Sequence, residues 1–430
     1  MSESRPTASV LVTGSELLTG HVADANGPFV ARSLGDLGFA VRRVLLVGDR
    51  PEDLRTALEF VAGDDLVVTS GGLGPTADDL TADVVAEFAG APMEVDTALQ
   101  ERIHARVAGW AARAGWDGPA LDAATAKQAR VPRGGSVLEP VGTAPGLAVS
   151  REGGPLVVVL PGPPRELTGM WPAALAAEPV AVLLARTPHA EPTLLRFAGL
   201  PESEIAETLR VIGTDLDLSR VEITTCLRRS ELEVDLHPLP GAEPVARDLA
   251  ERIVDRHRRK LISDDGSTTD ELVADALAGR GWTVATGESC TGGLLAGRLV
   301  DRSGSSAYVA GGVVAYSDAA KTALLDVPAA LVAEHGAVSP EVARALADGA
   351  RARFGADVGV GITGVAGPGG GTEAKPVGYV CFCVTTADGQ VIARDPQLPG
   401  GRADVRERSV DLAMHLLLRV TGVTGPDAHR

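Results

Sequence analysis

The 430-residue sequence contains little cysteine, and none of its four cysteines forms a CxxC pair. Cys381 and Cys383 alternate along an apolar segment with strand character. This usage argues against a disulfide framework and a zinc site, and it is typical of reduced cytoplasmic thiols. No apolar run approaches the ~20 residues that a membrane helix requires, and the first ten residues lack the apolar core of a secretion signal. We therefore predict a cytoplasmic protein that makes no membrane contact.

Lysine and asparagine are also scarce. Only four of the 40 basic residues are lysine, namely Lys127, Lys260, Lys321 and Lys375, and Asn26 is the only asparagine. In a chain that uses arginine wherever positive charge suffices, the remaining lysines are enriched at positions where arginine cannot serve, such as a base that loses its proton. The net charge of -17 opposes nucleic-acid binding, which requires a basic surface. We therefore expect small metabolites as partners, and no nucleic acid.

The chain length and the order of predicted elements indicate three parts. Residues 1–175 alternate strands with helices, which predicts a mostly parallel sheet covered on both faces. Residues 176–264 begin with a segment, residues 178–192, that we interpret as a linker, and continue in a β-α-β-β-α order typical of a small split βαβ domain. Residues 265–430 again mix strands and helices, so the predicted fold class of the whole chain is α/β.

The sequence around Ser289 has the pattern of a short strand, a tight turn and the beginning of a helix. Gly287, Gly292 and Gly293 allow the backbone to bend and a ligand to come close. The N–H groups of residues 290–293 would be free at a helix N-terminus, where they stabilise an oxygen anion. A serine displayed on such a turn is a typical nucleophile, although a helix N-cap would give a similar sequence.

Lys321 is the candidate base for this serine. A lysine accepts a proton at neutral pH only when burial or a nearby cation lowers its pKa from about 10.4. Tyr316, one of only three tyrosines, could relay a proton or donate a hydrogen bond. His335 is an alternative base, but its place before Gly336 is more typical of a helix C-terminus.

A glycine-rich loop at residues 364–376 follows the apolar strand predicted at residues 358–363. Such a loop can cradle a phosphate with its N–H groups, and Lys375 would add a positive charge. A flexible crossover between two strands is the alternative interpretation.

Polar loops also follow the predicted strands of the first part. Glu16 follows the first strand, residues 71–81 follow the third, and another proline- and glycine-rich loop follows the strand at residues 156–160. Because the carboxyl ends of parallel strands share one edge, these loops are expected to converge on a ligand. Their carboxylates, among them Asp78 and Asp79, could hold a divalent cation, or the two aspartates could simply favour a helix N-terminus.

The segments TGSELLTGHVADAN, TSGGLGPTADDLT, KQA, PVGTAPG and LPGPPREL resemble the N-terminal domain of the CinA family, which is similar to the molybdopterin-binding fold of MoaB and MogA. The resemblance implies a pyrophosphatase site for ADP-ribose that depends on Mg, Mn or Co. It implies nucleotide-binding residues Asn26, Gly71, Gly72, Gly74, Thr76 and Lys127, and metal-binding residues Glu16, Asp78 and Asp79.

The segments GESCTGG, GSSAY, YSDAAK, HGAVS and TGVAGPGGGTEAKPVG resemble the PncC-type nicotinamide mononucleotide deamidase, the C-terminal domain of the same family. The resemblance implies a three-layer α/β/α domain, a homodimer and no cofactor for deamidation. The middle part resembles the family's KH-type module, but it lacks the GXXG loop of RNA-binding domains. The implied catalytic residues are Ser289, Lys321, Tyr316 and Ser306, and the implied substrate-binding residues are Thr291, Gly292, Gly293, Thr363, Gly364, Gly367, Lys375 and Arg402.

Three alternatives to a deamidase remain open from the sequence. The pyrophosphatase could be the main activity, in which case a chelator would abolish it. The chain could bind a pterin or a nucleotide without catalysis, although an intact set of Ser289, Tyr316 and Lys321 speaks against this. It could also be an adaptor in DNA uptake or repair, although its net charge disfavours direct contact with DNA.

Overall fold

A computed structural model describes residues 5–114, 118–187 and 191–422 of the chain. The chain divides into two compact units, Met1–Glu191 and Pro192–Arg430. Each unit has its own sheets and its own hydrophobic core. The second unit therefore holds both the predicted middle part and the predicted third part.

The first unit alternates strands and helices over most of its length. Its strands are β1 (Thr7–Thr13), β2 (Ala40–Val47), β3 (Leu66–Ser70), β4 (Met93–Val95), β5 (Arg130–Pro132), β6 (Ser136–Leu138), β7 (Gly146–Ser150) and β8 (Leu156–Leu160). Its helices are α1 (Ser15–Leu18), α2 (Asn26–Asp36), α3 (Pro51–Phe60), α4 (Thr81–Ala89), α5 (Thr97–Ala114), α6 (Pro119–Gln128), α7 (Pro164–Ala176) and α8 (Glu178–Leu184).

Six of these strands form one sheet in the order β2-β1-β3-β8-β7-β6. The first four are parallel, as predicted, whereas β7 and β6 are antiparallel. The predicted parallel sheet is thus mixed, because the short connections around β7 are hairpins and cannot hold a crossover helix. The carboxyl ends of β1, β3 and β8 meet at one edge, which is where the polar loops lie.

Side chains of the central strand alternate between two hydrophobic layers, since successive residues of a strand point to opposite faces. On β1, Val10 and Val12 pack with residues of α2, α7 and α8, whereas Leu11 packs with residues of α3 and α4. All three are at most 2% exposed. Burying one such side chain contributes about 1.5–3 kcal/mol to stability, so both faces of the sheet hold the unit together.

The predicted linker begins with a helix instead. α8 follows α7 directly, and Val180 is 2% exposed because the apolar run that begins with it packs on the same core. No described helix is by itself long and apolar enough to span a membrane. α7 and α8 together meet that test by length and composition, but they are bent by 71°. Leu167, Met170 and Trp171 of this pair are buried in the core of the unit.

The second unit begins with a four-stranded antiparallel sheet in the order β10-β11-β9-β12. Its elements are β9 (Thr193–Ala198), α9 (Glu202–Ile212), β10 (Val221–Arg228), β11 (Glu231–Pro238), α10 (Glu243–His257) and β12 (Leu261–Ser263). The predicted β-α-β-β-α order is confirmed, and β12 adds a fourth strand. Leu232, Val234 and Leu236 on alternate positions of β11 are fully buried with residues of α9 and α10.

The rest of the second unit is built on a five-stranded sheet in the order β14-β13-β15-β16-β17. Its strands are β13 (Val284–Glu288), β14 (Val309–Val314), β15 (Val358–Gly364), β16 (Val380–Thr386) and β17 (Val391–Arg394). Its helices are α11 (Thr269–Arg280), α12 (Leu294–Val300), α13 (Asp318–Leu325), α14 (Ala329–His335), α15 (Pro340–Phe354) and α16 (Arg402–Val420).

This sheet is covered by helices on both faces, which confirms the predicted three-layer α/β/α architecture. On β16, Val380 and Phe382 pack with residues of α11, α12 and α16. Cys381 and Cys383 face the other side and pack with residues of α15. β14, β13 and β15 are parallel to one another, whereas β16 is antiparallel to β15 and β17 is antiparallel to β16. The carboxyl ends of β14, β13 and β15 therefore share one edge.

Buried polar side chains join the four-stranded sheet to helix α16 within the second unit. Glu231 is 4% exposed and accepts a hydrogen bond from His415 Nε2 at 3.1 Å. Asp411, one turn earlier on α16, accepts a hydrogen bond from Ser230 Oγ and pairs with Arg298, both at 2.7 Å. Buried charges require such partners, because an unpaired charge out of water is costly.

Candidate active site

Strand β13 brings Ser289 to the carboxyl edge of the five-stranded sheet. The N–H of Ser289 donates to the carbonyl of Ile362 at 2.9 Å, so strand pairing with β15 continues up to the serine. Gly287 allows α15 to pack against this strand, since a Cβ there would lie 2.7 Å from the carbonyl oxygen of Leu346. Ser289 is only 8% exposed. A nearly buried hydroxyl therefore stands at the end of a rigid strand.

Lys321 lies beside this hydroxyl, as the sequence predicts for a base. Its Nζ is 3.4 Å from Ser289 Oγ and 3.3 Å from the carbonyl oxygen of Tyr316. The lysine is 1% exposed. Burial lowers its pKa, and the Asp318 carboxylate, 3.7 Å from Nζ, partly opposes this shift. Burial disfavours the charged ammonium, so the neutral amine that a general base requires becomes accessible.

Cys290, the neighbour of Ser289, is not arranged as a nucleophile. It is 5% exposed, and burial raises the pKa of its thiol to about 11. The thiolate is the reactive form of cysteine, so this side chain is a neutral thiol near pH 7.

The phenol of Tyr316 contacts Arg402 rather than the serine. Its Oη accepts a hydrogen bond from Arg402 Nη2 at 2.9 Å, and Arg402 Nη1 donates to the carbonyl of Gly367 at 2.8 Å. Tyr316 is 60% exposed. The structure thus brings together Tyr316, Arg402 and the loop after β15 next to Lys321. The phenol of Tyr316 makes no hydrogen bond to Ser289 among the described contacts, so it is not placed to relay a proton from that residue.

Not all N–H groups of the turn after Ser289 are available to bind an anion, which corrects the predicted anion site. The N–H of Gly293 donates to Glu288 Oε2 at 3.0 Å, and the N–H of Gly292 donates to the carbonyl of Ser289 at 3.1 Å. Among the described residues, the N–H groups of Cys290 and Thr291 have no hydrogen-bonded oxygen, although both face the Cys290 sulfur and oppose the effect of burial on the pKa of its thiol. The Thr291 hydroxyl is also buried without a partner in that part of the chain.

Lys375 and Thr363 anchor the glycine-rich loop to the end of α14. Lys375 Nζ donates to the carbonyl of His335 at 2.7 Å, and Thr363 Oγ1 donates to the carbonyl of Ala337 at 2.7 Å. His335 is the last residue of α14, with Gly336 as its C-cap, so the helix C-terminal interpretation of His335 is confirmed. A Cβ on Gly364 would lie 2.7 Å from Val380, so the loop leaves the strand at a tightly packed position.

Ser306 is not brought to this cluster. It lies in a short 3-10 turn before the beginning of β14, whereas Ser289 follows the end of β13. β13 and β14 are parallel and aligned from Val284 with Val309 to Glu288 with Val314. The two serines therefore lie at opposite edges of the sheet, about 17 Å apart along a five-residue strand. Within one chain the structure therefore does not bring Ser306 to Ser289, and the catalytic role suggested for Ser306 stays a prediction.

The candidate site of the first unit is organised around Asn26. Its Nδ2 donates to Ser70 Oγ at 2.9 Å and to the carbonyl of Gly162 at 2.6 Å, so the loops after β3 and β8 meet as predicted. Its Oδ1 is buried and has no partner among the described residues. Gly71 has a φ of +107°, and a Cβ there would lie 2.5 Å from Thr13 Oγ1, so the loop begins with a glycine.

Four further predicted residues contact one another on the loop after β3. Thr76 Oγ1 donates to Asp78 Oδ1 at 2.5 Å and to Asp79 Oδ2 at 2.6 Å. Lys127 Nζ donates to the Thr76 carbonyl. The hydrogen bond from Thr76 lowers the pKa of Asp78. Gly72 and Gly74 line a cavity that Asp79 and Lys127 also line.

The predicted metal ligands do not form a ligand set. In the described ranges, no three His, Cys, Asp or Glu side chains are placed to hold a metal ion together. Asp78 and Asp49 line one cavity and Asp79 lines another, and Glu16 lines neither. The two aspartates instead share the single hydroxyl hydrogen of Thr76, and Asp79 also accepts from the N–H of Thr76. The residues present do not fit a divalent cation, and we derive no step through one.

Three residues that the sequence analysis did not select belong to these sites. Glu288 is a buried carboxylate beside Ser289. A charged residue at the end of a strand whose other residues are uncharged could have indicated a site, because charged residues are rarely buried without a partner. Arg406 lies one turn after Arg402 on α16, which places both on one helix face. Asp49 follows the carboxyl end of β2, at the same sheet edge as the other polar loops.

The fold and the site define a class of protein in which a molybdopterin-binding-type domain precedes a domain with a buried serine–lysine pair. A family model described as the CinA C-terminal domain matches residues 266–428, and one described as a probable molybdopterin binding domain matches residues 9–179. The chain is 56% identical over 418 residues to a CinA-like protein of Mycobacterium sp. (strain MCS), covering 96% of this chain and 98% of the relative. The chain belongs to the CinA-like protein family.

Two further comparisons are with a second relative that matches nearly the whole chain and with a solved structure that matches about a third of it. A CinA-like protein of Mycobacterium tuberculosis (strain ATCC 25177 / H37Ra) is 50% identical over 431 residues, covering 97% of this chain and 98% of the relative. The crystal structure of competence/damage inducible protein CihA from Agrobacterium tumefaciens covers 35% of this chain and 94% of its own, with 38% identity and a TM-score of 0.35.

Proposed function

We propose that the second unit hydrolyses the carboxamide of nicotinamide mononucleotide to nicotinate mononucleotide and ammonia. The observation that carries this proposal is the buried pair of Ser289 Oγ and Lys321 Nζ, 3.4 Å apart. A hydroxyl next to a desolvated amine is the arrangement of an activated serine nucleophile. Family membership supports the choice of reaction, and no cofactor takes part in it.

The reaction proceeds through an acyl-enzyme. Lys321 takes the proton of Ser289 while Oγ attacks the carboxamide carbon and forms a tetrahedral oxyanion. The N–H groups of Cys290 and Thr291, which have no hydrogen-bonded oxygen in the described chain, stabilise that oxyanion. The C–N bond breaks, and the Lys321 ammonium returns the proton to the leaving amine as ammonia. Lys321 then takes a proton from the water that attacks the ester carbon, and it transfers this proton to Ser289 Oγ as the acyl C–O bond breaks and nicotinate mononucleotide leaves.

The substrate's phosphate is held by cationic groups on the open side of this site. Arg402 bridges Tyr316 and the carbonyl of Gly367, so its guanidinium is already fixed between two elements. Lys375 is fixed on the end of α14 by one donor, and an ammonium has two more. Arginine and lysine beside a glycine-rich loop are groups that bind a phosphate monoester.

The test is ammonia release from nicotinamide mononucleotide by the purified chain, with and without EDTA. Wild-type release that persists in EDTA and disappears in Ser289→Ala is the expected result. Ser303→Ala, an exposed serine of the same unit, is the matched control and should keep full activity. A folded wild-type protein that releases no ammonia would refute the deamidase, whereas unchanged release by Ser289→Ala would refute the nucleophile.

A second function is favoured for the first unit by one observation, the buried Asn26 Oδ1 that lacks a partner among the described residues. We propose that this unit binds a nucleotide or a pterin, whose N–H donors would satisfy that oxygen. Calorimetric titration of the whole protein with ADP-ribose and with a pterin, each with and without Mg²⁺, Mn²⁺ or Co²⁺, tests it. Hydrolysis of ADP-ribose only with the metal would extend the proposal to a pyrophosphatase, and absence of binding would refute it.

A further inference from the structure

The turn between Ser289 and α12 is held on one side by a buried carboxylate. Glu288 is 1% exposed. Its Oε2 accepts hydrogen bonds from the N–H groups of Gly293 at 3.0 Å and Leu295 at 3.2 Å, and its Oε1 accepts from the N–H of Ala296 at 2.8 Å and from Thr286 Oγ1 at 3.2 Å. Four donors converge on one side chain, so the first N–H groups of α12 are occupied from inside the domain.

An arginine from a different helix holds the other side of the same turn. Arg406 Nε donates to the carbonyl of Cys290 at 3.1 Å, and its Nη2 donates to the carbonyl of Thr291 at 3.0 Å. These carbonyls belong to the two residues after the nucleophile. The planar guanidinium fork fixes two consecutive peptide groups at once, which a single ammonium donor cannot do.

We propose that Glu288 and Arg406 are positioning residues that fix the catalytic turn, residues 289–293, for the deamidation proposed above. Glu288 and the Ser289 carbonyl take four N–H groups of the turn and of α12. The N–H groups of Cys290 and Thr291 then remain as the two oxyanion donors. Arg406 sets the peptide plane that carries the Thr291 N–H, and the hydrogen bond from the Gly292 N–H to the Ser289 carbonyl sets the plane that carries the Cys290 N–H. The proposed oxyanion site thus has two N–H donors rather than the four that residues 290–293 could offer.

The chemistry of Glu288 explains why a carboxylate is needed. A carboxylate only accepts hydrogen bonds, and it offers two oxygens to the converging N–H groups. A glutamine of the same shape would place an NH₂ group against one set of these donors, so the turn would have to shift. A shift of the turn displaces the oxyanion donors, and loss of one such donor lowers kcat by roughly 10²–10³-fold.

The experiment compares Glu288→Gln, Arg406→Lys and wild type in two assays. In the ammonia assay, both variants should lower kcat by about 10²-fold and leave KM within about threefold, because Arg402 and Lys375 still hold the phosphate. Glu334→Gln, an exposed carboxylate of the same unit, is the control and should match wild type. A folded Glu288→Gln variant with wild-type kcat, or with a raised KM and unchanged kcat, would overturn the proposal.

The second assay does not depend on the substrate. A fluorophosphonate probe forms a bond between phosphorus and Ser289 Oγ and expels fluoride, so its rate of labelling reports the geometry of the nucleophile and the oxyanion donors. Both variants should be labelled at least tenfold more slowly than wild type. If wild type is labelled but releases no ammonia, the deamidase proposal fails, and the labelling rates alone decide the roles of Glu288 and Arg406. If Glu288→Gln does not fold, Arg406→Lys decides, and equal labelling of it and wild type would overturn the inference.

Discussion

The two candidate sites of the chain differ in how their polar side chains are held. In the second unit, Ser289, Lys321 and Glu288 are all at most 8% exposed. In the first unit, Thr76 and Asp78 are exposed and bond to each other on the surface of a loop. An unpaired polar group is costly in the interior and cheap in water. Most groups of the buried site must therefore have partners before substrate arrives, the exceptions among the described residues being the Thr291 hydroxyl and the proposed oxyanion donors, whereas the exposed loop can be completed by its ligand.

This difference predicts which changes damage each site. Substitutions in the buried site should alter catalysis or stability strongly, because each group there serves as another's partner. Substitutions on the exposed loop should leave the fold intact and change only what the loop binds. The predictions below test this contrast in order of decreasing effect.

The largest effect is expected from Lys321→Met. The variant lacks the base for Ser289, so kcat for ammonia release should fall about 10³-fold. The methionine fills a similar volume without a buried amine, so thermal unfolding should not occur at a lower temperature. Lys321→Arg should be as inactive as Lys321→Met, because arginine keeps its proton. Lys260→Met is the control, because the Lys260 amine pairs with a half-exposed glutamate. Activity above one tenth of wild type in Lys321→Arg would contradict this assignment of the base.

The next effect concerns stability rather than catalysis. Arg298 is largely buried, with its side chain 10% exposed, and pairs with Asp270 and Asp411, both at 2.7 Å. Arg298→Met removes the guanidinium that both carboxylates share and leaves Asp411 with Ser230 and Asp270 with the exposed Arg229. The free energy of unfolding, measured by urea denaturation, should fall by about 3 kcal/mol. The matched control is Arg302→Met, because Arg302 pairs with Asp275 in a largely exposed bridge worth at most about 1 kcal/mol. Equal losses of unfolding free energy in the two variants would contradict the expectation that the buried ion pairs contribute more than the exposed one.

The pH dependence of activity follows from the lowered pKa of Lys321. Only the neutral amine accepts a proton, so kcat/KM should rise as pH increases through that pKa, below the ordinary value of about 10.4. The unfolded chain binds more protons than the folded chain between the two pKa values, so stability should also rise with pH in that window. Replacing Asp318, which raises the pKa, by Asn should move the profile to lower pH. A profile that moves upward would contradict this electrostatic account.

Much of the architecture could be predicted from the sequence. The alternation of strands and helices follows from apolar periodicity, and the three-layer domain was implied by the family resemblance. The scarcity of lysine pointed to Lys321 as the partner of Ser289. The antiparallel strands β7 and β6 were not predicted, because both are short and only their pairing shows that they belong to the sheet. Helix α8 was taken for a linker, because proline and short length hid an apolar run that the core completes.

Sequence reasoning grouped Ser306 with Ser289 and did not select Glu288 or Arg406, and these two outcomes have different physical causes. Ser306 lies in a matching motif, but parallel pairing of β13 and β14 puts it at the opposite edge of the sheet from Ser289. Glu288 and Arg406 contribute through hydrogen bonds to backbone groups, which leave no spacing pattern in the sequence. Sheet topology and hydrogen bonds between side chains and the backbone can be observed only in the folded chain.

The smallest effect is expected from Asp79→Asn on the exposed loop. Its Oδ2 accepts from the N–H and the hydroxyl of Thr76, and an asparagine oxygen can accept the same bonds, so the free energy of unfolding should change by less than about 1 kcal/mol. Ammonia release should be unchanged, because the buried site needs nothing from this loop. Binding of ADP-ribose to the first unit, measured by calorimetry, should change, with Thr76→Ala as a comparison that also removes the hydroxyl. A change of more than twofold in ammonia release would show that the two sites are coupled, and the contrast between a self-sufficient buried site and a ligand-dependent loop would then fail.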